Sequence, residues 1–177
     1  IQKFNEYPHL GVTSTPFIEA EFKSYGHDFA NFDHVSGGIQ IFRRTCYEDI
    51  GGYKPNERGG IDWIAVTTAR MKGWMTRTFI DKTYFHHRPI GTGNTTILGS
   101  RFKYGQKDYY LGNHPIWEIF RALFQMKNKP YIIGGFLLLA GYISAAMRRM
   151  KKPVSKELMQ FHRGEEMKRL KKLLLTK

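Results

Sequence analysis

The segment VSGGIQIFRRTCYEDIGGYKPNERGGIDWIAVTTARMKGW, residues 35–74, decides how this chain folds. It begins inside a strand candidate at 34–42, in which Gly37-Gly38 leaves room for the close approach of a ligand or another backbone. A short helix follows at 45–50 and stops at Gly51-Gly52, as expected where a helix ends in a left-handed residue. A second helix starts near Asp62 and ends at Gly73. The segment therefore alternates strand, helix, loop and helix.

The flanking sequence extends the same alternation. Residues 10–18 and 78–85 are further strand candidates, and a helix ends near residue 7. Alternating strands and helices are typical of a layered α/β structure. A chain of 177 residues provides about one domain plus an appendage. We expect an α/β domain over residues 1–112 and a helical appendage over 113–177.

The order of features in residues 35–74 resembles the second half of the catalytic domain of family 2 glycosyltransferases, which have the GT-A fold. The resemblance covers residues 10–112 and is strongest from the Gly37-Gly38 pair to Trp74. In that family an acid pair, usually Glu-Asp, opens the helix and deprotonates the acceptor hydroxyl. The pair here reads Ile61-Asp62. The resemblance therefore implies Asp62 as the catalytic base, with Gly37, Gly38 and Trp63 as substrate-binding residues.

Asp62 also has an ordinary structural interpretation. An aspartate just before an apolar periodic run is a common helix N-cap. A carboxylate in the first turn of a helix is in addition kept ionised by the helix dipole, as a general base requires. The sequence leaves both interpretations open, and they are compatible with each other.

The resemblance assigns roles to basic residues after the last strand. His86 and His87 occupy the place where the family contacts the metal and diphosphate, and His87 is the preferred candidate. Arg101 or Lys103 would neutralise the diphosphate leaving group. The alternatives are an ordinary histidine and a solvated basic loop. Processive members carry Gln-x-x-Arg-Trp near this point, whereas only Arg101 and the aromatic Phe102 match here, which favours transfer of a single sugar.

One family motif is missing from the sequence. No Asp-x-Asp, the motif that binds the nucleotide and the divalent metal, occurs in these residues. The chain begins at Ile1 without a methionine, so we interpret it as a fragment that is inactive alone. The resemblance then implies Mg²⁺ or Mn²⁺ as cofactor, ligated mostly upstream. The loop at 91–93 is a weak candidate for closing over the nucleotide sugar, and we regard the sequon at 94–96 as accidental.

Charge is distributed unevenly along the chain. Residues 1–100 carry 11 Lys/Arg and 10 Asp/Glu, whereas residues 101–177 carry 17 and 5. A nearly neutral domain with a cationic tail fits an anionic surface. Residues 130–147 contain no charged residue and have basic residues at both ends. This favours an interfacial or re-entrant segment at the cytoplasmic face of a membrane, with a bend at Gly134-Gly135, over a simple crossing or a buried core helix.

Two amphipathic helices are expected beside this segment. The first follows Asn113 as N-cap with Pro115 in its first turn, and the second follows Pro153. Ordinary packing against the α/β domain is the alternative to a role at the membrane. The predicted apolar faces are Ile116, Trp117, Ile119, Phe120, Leu123 and Phe124 in the first helix, and Leu158, Phe161, Met167, Leu170 and Leu174 in the second.

These observations favour an inverting glycosyltransferase. Its expected partners are a nucleotide sugar, a lipid-linked or cell-envelope polysaccharide acceptor, and an anionic membrane surface. The alternative from another class is a non-catalytic, polybasic membrane-binding adaptor. The basic residues alternate with apolar ones, which disfavours nucleic-acid binding. A single cysteine, Cys46, excludes a disulfide scaffold and a cysteine-based zinc site.

Overall fold

Residues 1–19, 22–23, 32–85, 87 and 96–175 are described by a computed structural model, which shows a mixed α/β protein. The chain forms two compact units, an α/β unit (Ile1–Pro89) and a helical unit (Ile90–Lys177). The sequence analysis placed its division at 112/113, after the helix Ile97–Leu111. That helix groups with the helical unit because it packs closely against the helix Tyr131–Met147.

The α/β unit contains three helices and six short strands within its described residues. The strands form two three-stranded sheets, β4-β1-β5 and β3-β2-β6, in which β1 pairs parallel with β5 and β2 pairs parallel with β6. The elements are α1 (Gln2–Glu6), β1 (Leu10–Ser14), β2 (Phe17–Glu19), β3 (Phe22–Lys23), β4 (Ile41–Phe42), α2 (Arg44–Asp49), α3 (Ile61–Met71), β5 (Met75–Thr78) and β6 (Tyr84–Phe85).

The core of this unit lies between β1 and the helices α2 and α3. All five residues of β1 are buried, as expected for a central strand that is paired on both edges. Phe42 and Trp74 pack against the core from its border. The α/β expectation is thus confirmed at the level of fold class, and the core residues are Val12, Val35, Cys46, Ile50, Ala65, Val66 and Ala69.

All three predicted strands differ from the observed ones. The strand predicted at 78–85 is wrong in its middle, since β5 ends at Thr78 and β6 begins at Tyr84 in the other sheet. The strand predicted at 34–42 is wrong over most of its length, since only Ile41–Phe42 pairs with β1 and residues 37–39 form a turn. The strand predicted at 10–18 is divided at Thr15-Pro16, and its halves belong to different sheets. Proline has no N–H with which to continue a ladder, which explains the break.

The helical unit consists of α4 (Ile97–Leu111), α5 (Pro115–Gln125), α6 (Tyr131–Met147) and α7 (Lys156–Leu175). Pro115 is the first residue of α5, as predicted, but its N-cap is His114 and not Asn113. The His114 Nδ1 accepts a hydrogen bond from the Ile116 N–H at 3.2 Å. Gly164 does not interrupt α7.

Glycines hold α4, α5 and α6 in close contact. A Cβ atom on Gly141 of α6 would overlap the Phe102 carbonyl of α4, and a Cβ on Gly105 of α4 would overlap the Leu138 carbonyl of α6. Gly135 likewise lies against the Ala122 carbonyl of α5. The predicted bend at Gly134-Gly135 is wrong, because α6 runs through both residues and both are buried. These contacts bring the helix backbones closer than any side chain permits.

A buried ionic cluster joins α4, α5 and α7. The Glu118 side chain is fully buried. The Arg121 Nη1 atom lies 3.6 Å from Glu118 Oε2 and 2.6 Å from Asp108 Oδ2. On α7, His162 Nε2 lies 3.0 Å from Glu166 Oε1, and Glu166 Oε2 accepts the His114 N–H at 2.7 Å. Burial, followed by repulsion from Asp108, raises the pKa of Glu118 to about 8. Burial also raises the pKa of Asp108.

Among the residues that the structure describes, no helix combines the length and the apolar composition required to cross a bilayer.

Candidate active site around Asp62

Two glycines set the start of helix α3. Gly59 and Gly60 have φ of 75° and 86°, a left-handed conformation that suits glycine. Gly60 is the N-cap and Ile61 the first helical residue, so Asp62 lies in the first turn. The N-cap interpretation of Asp62 is therefore wrong.

The Gly37-Gly38 turn lies directly against this carboxylate. A Cβ atom on Gly37 would overlap the carboxylate of Asp62, and a Cβ on Gly38 would overlap the hydroxyl of Tyr84. The structure thus brings together Gly37, Gly38 and Asp62, although 25 residues separate Gly37 from Asp62 in the sequence. The turn backbone therefore packs directly against the half-buried carboxylate, at a position where only glycine fits.

Tyr53 and Gln40 complete the surroundings of Asp62. The Tyr53 hydroxyl donates to Gln40 Oε1 at 2.7 Å, and Gln40 Nε2 donates to the carbonyls of Val35 at 3.1 Å and Asp62 at 3.5 Å. Burial, followed by the negative charges of Tyr47 and Asp62, raises the pKa of Tyr53. Sequence reasoning assigned no role to Tyr53, although the pattern Gly-Gly-aromatic at 51–53 was its available signal.

The Asp62 carboxylate has fewer partners than the carboxylate of Asp49, the last residue of α2. Asp49 accepts hydrogen bonds from Lys72 Nζ and Trp74 Nε1, each at 2.8 Å, and these bonds lower its pKa. Within the described residues, no hydrogen bond or ion pair engages the side chain of Asp62. A carboxylate that no other described group engages can accept a proton from a bound hydroxyl.

Of the other predicted site residues that the structure describes, Trp63 lies in the α/β unit, and Arg101 and Lys103 lie in the helical unit. Trp63 follows Asp62 on α3 and is half-buried. Arg101 and Lys103 belong to α4 of the helical unit, so the alternative that they form a loop is wrong. Arg101 donates to the Lys129 carbonyl at 3.5 Å, and Lys103 is exposed.

The predicted contact of histidines with the metal and diphosphate gains no support here. His87 is exposed, and His86 lies outside the described residues, as does the loop at 91–93. Within the part of the chain that the structure describes, no three His, Cys, Asp or Glu residues are arranged to hold a metal ion. The described residues therefore do not fit a metal centre, and we derive no step through a metal.

Comparison with protein-family models, curated proteins and solved structures finds no match to this chain.

Proposed function

We propose that the protein is an inverting glycosyltransferase of the family 2 type, in which Asp62 is the general base. The observation that carries the proposal is the open carboxylate of Asp62, in the first turn of α3 and against the side-chain-free turn at Gly37. This arrangement offers a proton acceptor that the helix start and the glycine turn hold in a fixed position. The sequence resemblance supplies the reaction class.

In the proposed reaction, the oxygen of an acceptor hydroxyl attacks the anomeric carbon of a nucleotide sugar, and Asp62 takes the proton from that hydroxyl. The bond from that carbon to the diphosphate breaks, and the nucleoside diphosphate leaves with the electron pair. A single displacement inverts the configuration at the anomeric carbon. Arg101 and Lys103 remain assigned to the diphosphate by resemblance alone, and a divalent cation would be held mostly by residues other than those described.

The proposed acceptor is a lipid-linked or cell-envelope polysaccharide at the cytoplasmic face of a membrane. The basic helical unit supports this assignment, since it carries most of the excess positive charge of the chain. Attraction to anionic lipids would keep the site near an acceptor that stays in the bilayer.

The test is the Asp62→Asn variant of the full-length protein, assayed with a panel of nucleotide sugars for release of nucleoside diphosphate. We expect kcat to fall by roughly 100-fold or more, the usual effect of losing a general base, with little change in KM. Glu57→Gln is the matched control, because Glu57 is an exposed acid five residues earlier. Turnover of Asp62→Asn close to that of the control would refute the assignment.

The adaptor remains the second candidate, and the exposed apolar residues on α5 and α6 favour it. An adaptor requires vesicle binding but no transfer reaction. Full-length protein that binds anionic vesicles, and turns over no sugar nucleotide in any tested combination with Mg²⁺ or Mn²⁺, would favour the adaptor over the enzyme.

A further inference from the structure

Helix α6 is apolar on its exposed side as well as on its buried side. Residues 131–147 include no charged side chain. The outward side chains remain largely accessible, with exposed fractions of 70% for Ile132, 64% for Phe136 and 79% for Met147. An open groove of about 660 Å³ runs along the helix and is lined by Phe136, Leu139, Ala140, Ile143, Ser144, Met147 and Arg148. A helix that is apolar all round is normally covered on all sides.

The internal packing of the unit fixes which side of α6 faces outward. Gly135 is in backbone contact with α5 and Gly141 with α4, so the opposite side cannot turn inward without breaking both contacts. Helix α5 carries a second exposed apolar stripe, formed by Ile116, Ile119 and Leu123. We call the exposed residues of these two helices the apolar face.

Positive charge surrounds the ends of α6. Lys127 and Lys129 precede the helix, and Arg148, Arg149 and Lys151 follow it, all on the surface.

Most of the acidic residues that could neutralise this positive charge are buried. Of the five acids in residues 101–177, three lie in the buried ionic cluster, namely Asp108, Glu118 and Glu166. Only Glu157 and Glu165 remain outside this cluster. The apolar face is therefore set in a surface that is almost entirely cationic.

We propose that the apolar face docks onto an anionic lipid bilayer, with its aliphatic and aromatic side chains in the headgroup and acyl boundary and the flanking cations on the lipid phosphates. This inference deepens the proposed function by assigning its membrane partner to one surface, and it rests on that function only for the location of the acceptor. A second copy of the chain fits the charges less well, because pairing two such faces brings cationic surfaces together. A bilayer satisfies both the apolar side chains and the cations.

The experiment is co-sedimentation of the full-length protein with phosphatidylcholine vesicles, with and without about 30% phosphatidylglycerol, at about 0.1 M salt. We expect binding that depends on the anionic lipid and falls as salt increases. The triple variant Ile132→Ser, Phe136→Ser, Met147→Ser should bind roughly tenfold more weakly or worse. All three side chains are exposed, and circular dichroism checks that α6 stays folded. Ile80→Ser is the matched control, since Ile80 is 60% exposed in the α/β unit.

A charge variant tests whether the flanking cations bind the lipid phosphates. Lys127→Glu with Lys129→Glu should weaken the preference for anionic vesicles, whereas Lys54→Glu with Lys82→Glu, exposed lysines of the α/β unit, should preserve it. Equal binding of the triple variant and the control would overturn the proposal. So would a stable dimer in solution that the triple variant converts to monomer. Asp62→Asn should bind vesicles normally, so a failure of docking and a failure of the catalytic assignment give different results.

Discussion

Replacing Glu118 by glutamine should remove a pH dependence of stability that the buried ionic cluster creates. The carboxyl of Glu118 is fully buried and has a pKa of about 8, against an ordinary value of 4.5. Between these two pH values the folded protein holds a proton that the unfolded chain has lost. The free energy of unfolding therefore falls as pH rises, by about 1.4 kcal/mol per pH unit and by about 5 kcal/mol over the whole window.

Glutamine imitates the protonated carboxyl and does not titrate. The other charged or titratable groups that act on Glu118 are unchanged in the variant: Asp108 on α4, Tyr142 on α6 and Glu166 on α7, beside the cation Arg121 of α5. The effect of Glu118 alone is therefore obtained by plotting the free energy of unfolding against pH for each protein and comparing the slopes of the variant and the unmodified protein. We expect the slope of Glu118→Gln to be shallower by about 1.4 kcal/mol per pH unit from pH 5 to 7.5.

The assay is urea unfolding followed by circular dichroism at pH 5, 6, 7 and 8. Glu157→Gln serves as the control, because Glu157 is an exposed acid in the first turn of α7, and its slope should match that of the unmodified protein. Parallel curves for Glu118→Gln and the unmodified protein would show that Glu118 is ionised throughout. The account of the cluster given above would then be wrong.

Three further predictions concern glycines. Gly141→Ala should destabilise the helical unit by about 2 kcal/mol or more in urea unfolding, because its Cβ overlaps the Phe102 carbonyl, and an unchanged midpoint would contradict the packing of α4 on α6. Gly164→Ala should stabilise α7 by about 0.5–1 kcal/mol, because a Cβ at this position meets open space. The stabilisation would be measured as a rise in melting temperature. Gly37→Ala should lower the rate of sugar transfer, because the added Cβ displaces the Asp62 carboxylate, while the circular dichroism spectrum stays unchanged. Full activity of this variant would show that the turn is not part of the active site.

The α3 segment was the easiest part of the candidate site to predict from the sequence. Periodic apolar residues and the flanking glycines fix a helix near 61–71, with Asp62 in its first turn. The Gly37-Gly38 turn was assigned to a strand, because alternation along a segment does not reveal whether a partner strand exists beside it. The proximity of this turn to Asp62 is a tertiary contact that no local pattern contains.

The amphipathic helices were predicted in outline only. Of the predicted apolar residues of α5, Ile116, Ile119 and Leu123 form an exposed stripe, whereas Trp117 faces the interior together with the acid Glu118. Hydrophobicity alone cannot show that a carboxyl group will be matched by an arginine one turn later and by groups on other helices.

The predicted apolar residues of the second helix, α7, are divided in the same way. Leu158 and Leu170 are buried with His162 and Glu166 between them, whereas Leu174 is exposed.

The direct backbone contact between α4 and α6 couples these helices mechanically. At Gly105 and Gly141 no side chain stands between them that could change rotamer and absorb a displacement. A tilt of α6 must therefore move α4 with it, and α4 carries Arg101 and Lys103. If α6 lies on a bilayer, the orientation of that bilayer also sets the direction in which these two cations point.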